Sequence, residues 1–110
     1  MKLPNPDRTV IDMQKLTGYS LNPEHSDGKH KATVFRSALG IGLEEADELR
    51  DALLEAVSTY DAIPDKSNQY GQKYVIDFPM TRSDKQAVVR SAWIVRGDEN
   101  FPRLVTCYIL

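Results

Sequence analysis

A chain of 110 residues, 41% of them apolar and 27% charged, has the size and composition of one compact domain. Its formal charge of −2 excludes the strongly basic character of a protein that wraps duplex DNA. No apolar run exceeds four residues, too short for a spanning helix, and Met1–Asp7 lacks the apolar stretch of a secretory signal. The single cysteine, Cys107, forms no internal disulfide and no cysteine-based zinc site, so a reducing, cytoplasmic setting without a membrane is expected.

Elements follow from periodicity. Asp12 is placed to cap a short helix over 13–16, stopped by Gly18. The run Asn22-Pro23-Glu24-His25-Ser26-Asp27-Gly28 reads as a loop. A second helix is predicted over 29–39, with Asp27 available as its cap. Ala32, Phe35, Ala38 and Leu39 form its apolar stripe, and Gly40 its stop. The third helix, 43–57, sets Leu43, Ala46, Leu49, Leu53 and Val57 against an acidic face. Between Leu43 and Ala56 stand six acids and one base, a local charge of −5 that leaves +3 for the rest of the chain. Such a stripe suits a solvated face or a basic partner.

From residue 58 onward the pattern turns to strands. A short one is predicted over 60–63, ended by Pro64 and a polar loop through Asn68. Tyr74, Ile76 and Phe78 alternate in a second, ending near Pro79. The segment 87–96 is apolar on nearly both faces and should be central. After a turn at 97–100, Leu104–Ile109 closes the sheet, with Val105, Cys107 and Ile109 facing one way and Thr106 and Tyr108 the other. The expected fold is α+β: a single domain, 1–110, with N-terminal helices (about 12–57) on one face of an about four-stranded antiparallel sheet (about 58–110).

Several residues sit uneasily in a purely structural domain. Lys29, His30 and Lys31 crowd the start of a helix, where the dipole disfavours cations; they point into water or receive an anion there. The field of a helix start also favours a neutral, proton-accepting histidine. Arg90 lies on a strand that reads as buried and needs either an ion pair with Asp77 or a bound phosphate. Trp93 packs in the core or stands beside Ser91 as an aromatic wall for a base. Thr106 and Tyr108 either face water or line a cleft. His25 and His30 alone are a poor zinc site, no glycine-rich phosphate loop occurs, and Cys107 reads as an inert thiol. The remaining set, His25, His30, Lys31, Arg90, Thr106 and Tyr108, contains the types needed to cleave RNA by internal attack of its 2′-hydroxyl, without a metal or other cofactor.

Leu21-Asn22-Pro23-Glu24-His25 with Gly28, His30-Lys31-Ala32, Phe35 and Leu39-Gly40 resembles the signature of a small bacterial and phage domain family of uncharacterised function. Val89-Arg90-Ser91-Ala92-Trp93-Ile94-Val95 and Phe101-Pro102-Arg103-Leu104-Val105-Thr106 are similar to its C-terminal strands, so the resemblance runs over roughly 3–110. Such domains are similar in turn to the barnase, EndoU, colicin and RelE-like nucleases. The resemblance implies a metal-independent endoribonuclease, often a toxin restrained by a small antitoxin or immunity protein. Its recurring positions are here His25, Lys31, Arg90 and Thr106, which would be catalytic; His30, less constant in such domains, Trp93 and Tyr108 are expected from their residue types to bind substrate. A non-catalytic module, pairing with a toxin or antitoxin or serving phage assembly, is the competing expectation, with the acidic helix as its docking face.

Overall fold

The computed structural model describes all 110 residues. Helices precede strands, as the periodicity predicts. The two longer helices are α1 (Lys29–Leu39) and α2 (Ala46–Thr59). The strands are β1 (Ile63–Asn68), β2 (Gly71–Arg82), β3 (Lys85–Arg96) and β4 (Pro102–Ile109). They form one antiparallel sheet in the order β1-β2-β3-β4, so β3 is interior and β4 is an edge. No helix is long and apolar enough to cross a membrane.

The helices cover one face of the sheet. Phe35 and Leu39 of α1 and Leu49, Leu53 and Val57 of α2 are fully buried, as their spacing requires. They meet Ile76, Phe78, Val89 and Trp93, which share the inner face through cross-strand pairing. Each fully buried Leu contributes about 1.5–3 kcal/mol, and this shared core is what holds α1 over β3 and β4. Gly40 ends α1 in the left-handed region at φ 67°, returning its N–H to Arg36. Arg82, at the far end of β2, ties both helices to the hairpin: its Nη1 donates to Gly40 O at 3.0 Å and its Nε to Glu48 at 2.9 Å.

Several expectations are corrected. The first helix does not stop at Gly18; it continues as a π turn, Leu16–Ser20, because burying Leu16, Ser20 and Leu21 outweighs the cost of an internal glycine. Asp12 does cap its start, accepting the N–H of Gln14 at 3.0 Å. Leu43 is 42% exposed, because α2 opens with a 3-10 turn, Leu43–Glu45, that rotates it off the apolar stripe. Residues 60–62 lie outside the sheet, and β1 instead runs through Pro64 and the polar stretch to Asn68. It is an outer strand exposed at every position, where a missing N–H breaks no ladder and no apolar alternation is needed. Likewise β2 passes through Pro79, whose only partner is Val88, because β1 extends no further along β2 than Val75.

Strand β4 departs from simple alternation. Ala92 pairs with Thr106 but Trp93 with Leu104, leaving Val105 as the extra residue of a β-bulge. Leu104, Cys107 and Pro102 are therefore the buried positions, and Val105 is not. Burial pushes the Cys107 thiol up to about 12, so it is an inert core group.

Candidate functional site

The open face of the sheet carries Asp77, Arg90, Ala92, Thr106 and Tyr108, all opposite the helix-covered side. Arg90 stands directly across from Asp77 on β2 and Tyr108 on β4. Its Nε and Nη2 each donate to one Asp77 oxygen at 2.8 Å, a two-pronged pair. The pair holds the Asp77 carboxyl below the usual carboxylate range, and Asp77, with Tyr108 after it, raises Arg90. Arg90 is half-exposed, so its charge need not be buried, and its two bonds to Asp77 do not use Nη1.

Lys31 joins this face from α1. The helix packs behind β4, and the lysine side chain reaches across that strand to Thr106 Oγ1 at 3.4 Å and Tyr19 Oη at 3.0 Å. Its ammonium lies 4.4 Å from the Tyr19 ring centre and 5.4 Å from that of Tyr108. It has no carboxylate partner, so aromatic faces and hydroxyls stabilise a half-buried cation. Lys31, Thr106, Tyr108 and Arg90 form a continuous row around β4, while Tyr19 closes the row from the helical side.

Two local features produce this meeting. Gly28 presses against the backbone of Tyr19; a Cβ there would fall 2.2 Å from Tyr19 O, so only glycine lets α1 start this close to the π turn. Ser20 Oγ donates to Cys107 O at 3.0 Å, pinning that turn to β4. The bulge then turns Val105 and Thr106 toward the same space. The result is an open cleft of about 510 Å³ lined by Asp12, Gln14, Lys15, Tyr19, Lys31, Val105 and Thr106. Such a volume holds a nucleotide-sized ligand. A smaller hollow of about 230 Å³ adjoins it through Lys31 and is lined by His30, Val34, Tyr108 and Ile109.

The two histidines differ in kind. His25 Nδ1 accepts the N–H groups of Asp27 and Gly28, each at 3.0 Å, and its ring meets Tyr19 edge-on at 4.9 Å. An acceptor Nδ1 leaves Nε2 as the N–H of the ring, and His25 thereby caps the loop. The expected Asp27 cap is thus replaced by His25. His25 takes the N–H groups of Asp27 and Gly28 through Nδ1 and that of Lys29 through its carbonyl at 2.9 Å, so the N–H groups of His30 and Lys31 are the ones left open at the helix tip, and the cation that reaches the cleft is Lys31. His30 is exposed on α1 beside Lys31.

Trp93 is fully buried on the helix-covered face, with Nε1 donating to Ser91 Oγ at 2.9 Å and that hydroxyl donating to Ile76 O at 2.8 Å. It packs the core and does not reach the open face, which corrects its expected contact with a base. Tyr19 escaped the sequence analysis. Its signal was Leu16 and Ser20 at helical spacing across Gly18, which continue a buried stripe and set Tyr19 beside it. Nowhere do three His, Cys, Asp or Glu side chains converge in a metal-holding group.

Residues 2–110 match a family described as a domain of unknown function, DUF6883. The chain belongs to that family. No curated protein matches this DUF6883 domain. Among solved structures it is similar to a chain of a contact-dependent growth inhibition toxin–immunity protein complex from Klebsiella pneumoniae 342. The TM-score is 0.73 at 17% sequence identity, covering 92% of this chain and 99% of that one. At that identity the likeness is one of fold alone.

Proposed function

We propose that this DUF6883 domain is a metal-independent endoribonuclease of the toxin type, held in check by a small immunity or antitoxin protein. One observation carries the proposal: an ammonium without a carboxylate partner, Lys31, is held by Tyr19 and Thr106 in a cleft of nucleotide size. The fold likeness to a chain of a toxin–immunity complex supports membership of such a pair, in which this reading takes the toxin side.

In the proposed reaction the RNA 2′-oxygen attacks the adjacent phosphorus and the bond from phosphorus to the 5′-oxygen breaks. The products are a 2′,3′-cyclic phosphate and a 5′-hydroxyl. His30, the solvent-open histidine beside Lys31, takes the 2′-hydroxyl proton. Lys31 and the Nη1 of Arg90, which the Asp77 pair does not use, balance the charge that builds on the phosphoryl oxygens, and Thr106 Oγ1 orients them. Tyr19 accepts from Lys31 and keeps its own O–H free, so it supplies the proton for the departing 5′-oxygen. His25 is a positioning residue, because protonating Nδ1 would break its two loop bonds.

Purified protein, freed of any partner, is incubated with mixed RNAs in chelator. Wild type should cleave, and Lys31→Ala should slow cleavage roughly 10²–10³-fold, the usual effect of removing one charge-stabilising group. Equal behaviour of the two proteins would remove the nuclease assignment. A binding module is the second reading, favoured by the outer acids of α2: Glu48 pairs with Arg82, and Asp47 and Asp51 with Arg50, while Glu44 and Glu55 stay unpaired. In that case charge reversal at Glu44 and Glu55 abolishes pairing with a basic partner and Lys31→Ala does not.

A further inference from the structure

A second cleft, about 820 Å³, opens on the same face of the sheet and is lined by Asn68, Tyr70, Lys73, Arg96 and Ile94 among others. Val105, the bulge residue, lines both this cleft and the Lys31 cleft, so the two are consecutive stretches of one groove. At its far end Tyr70 is 65% exposed, whereas every other aromatic side chain of the molecule is buried or half-buried.

Its backbone, by contrast, is held from both sides. Asn68 Oδ1 accepts the Tyr70 N–H at 2.8 Å, and Tyr70 O accepts the Gly97 N–H at 3.3 Å, joining the β1–β2 turn to the β3–β4 turn. Gly71, next in sequence, sits at φ 150°, and a Cβ there would fall 2.3 Å from Val95 O. The turn therefore cannot slide away from β3. Lys73 and Arg96, neither in an ion pair, line the same cleft as Tyr70, with one acid, Asp98, among its lining residues.

We infer that this end of the groove is a subsite for single-stranded RNA: a base next to the cleaved linkage stacks on Tyr70, and Lys73 and Arg96 hold its phosphate. The ligand class rests on the nuclease proposal; the subsite itself rests on the groove. An aromatic face on a fixed backbone beside unpaired cations is the arrangement that takes an unpaired base and its phosphate together. Duplex RNA keeps its base faces stacked and does not offer one to Tyr70.

The test uses a fluorescent 2′-O-methyl RNA ten-mer, which has no attacking hydroxyl, so binding is read apart from cleavage. Titrated at low salt by anisotropy, Tyr70→Ala should bind roughly tenfold more weakly than wild type and Tyr70→Trp should retain affinity. Lys73→Gln and Arg96→Gln should each lower the salt slope by about one. Unlabelled single strand should compete and duplex should not. Thermal unfolding of each variant should match wild type, since all three side chains are exposed or half-exposed. Equal affinity of wild type and Tyr70→Ala, or no strand binding by either, would overturn the subsite while leaving the cleavage assay to judge the nuclease proposal. Loss of a partner protein by Tyr70→Ala with strand binding intact would also overturn it, and would make the turn a protein-docking point.

Discussion

Gly28→Ala separates the architecture of the site from its charges. The backbone at Gly28, φ −76° and ψ −18°, is helical and comfortable for alanine. In open space the change would stabilise the protein by about 0.4–1 kcal/mol by restricting the unfolded chain. Here the added Cβ would stand 2.2 Å from Tyr19 O, where ordinary contact begins at 3.4 Å, so the two backbones must part by about 1.2 Å. Forced parting of packed backbone costs about 1–3 kcal/mol, which reverses the sign. For a domain near 100 residues the melting temperature should fall by roughly 4–20 °C in a thermal scan followed by circular dichroism. A displacement of that size also takes Lys31 Nζ out of hydrogen-bond reach of Tyr19 Oη, now 3.0 Å away, so RNA cleavage should fall at temperatures where the variant is fully folded. A melting temperature at or above that of wild type, with cleavage unchanged, would refute the claim that this contact sets the site.

His25→Ala removes the acceptor for two loop N–H groups and should cost about 1 kcal/mol, read as a lower urea midpoint at unchanged slope. Where it is fully folded, His25→Ala should keep the cleavage that His30→Ala loses, because His30 takes the 2′-hydroxyl proton and His25 only positions the loop. Stability should also fall in acid. Asp77 and Glu99 are held low by Arg90 and Arg103, so the unfolded chain binds more protons than the folded one below their ordinary values of 3.8 and 4.5. The stabilisation from both pairs is complete above pH 4.5 and is lost as pH drops through the lowered values. Urea midpoints measured from pH 7 to pH 2.5 should trace this loss, and Asp77→Asn should flatten it.

The elements that bury a stripe were legible in the chain: α1 with its glycine stop, most of α2, the interior strand β3 and the order of helices before strands. The Arg90–Asp77 pair was legible too, since two charges on neighbouring strands of an open face have few other partners. What alternation missed are places where the backbone departs from its period. The π turn carries Tyr19, the bulge turns Val105 outward, and β1 is exposed on every side, so it carries no apolar code. His25 was read as a chemical group because its sequence neighbourhood does not reveal that Nδ1 is occupied by the loop. Lys31 does meet Thr106 and the Tyr108 ring, but Arg90 stands beyond Tyr108 on Asp77, Trp93 lies beneath the sheet, and His25 takes part of the helix tip.

The most direct measurement is the chemistry of the cut ends. RNA digested in chelator and analysed by mass spectrometry should carry 2′,3′-cyclic phosphate and 5′-hydroxyl termini with wild type, and almost none with Lys31→Ala. Termini with 3′-hydroxyl and 5′-phosphate, cutting that survives Lys31→Ala undiminished, or intact RNA after removal of every partner would contradict an anion-holding lysine at the centre of this fold.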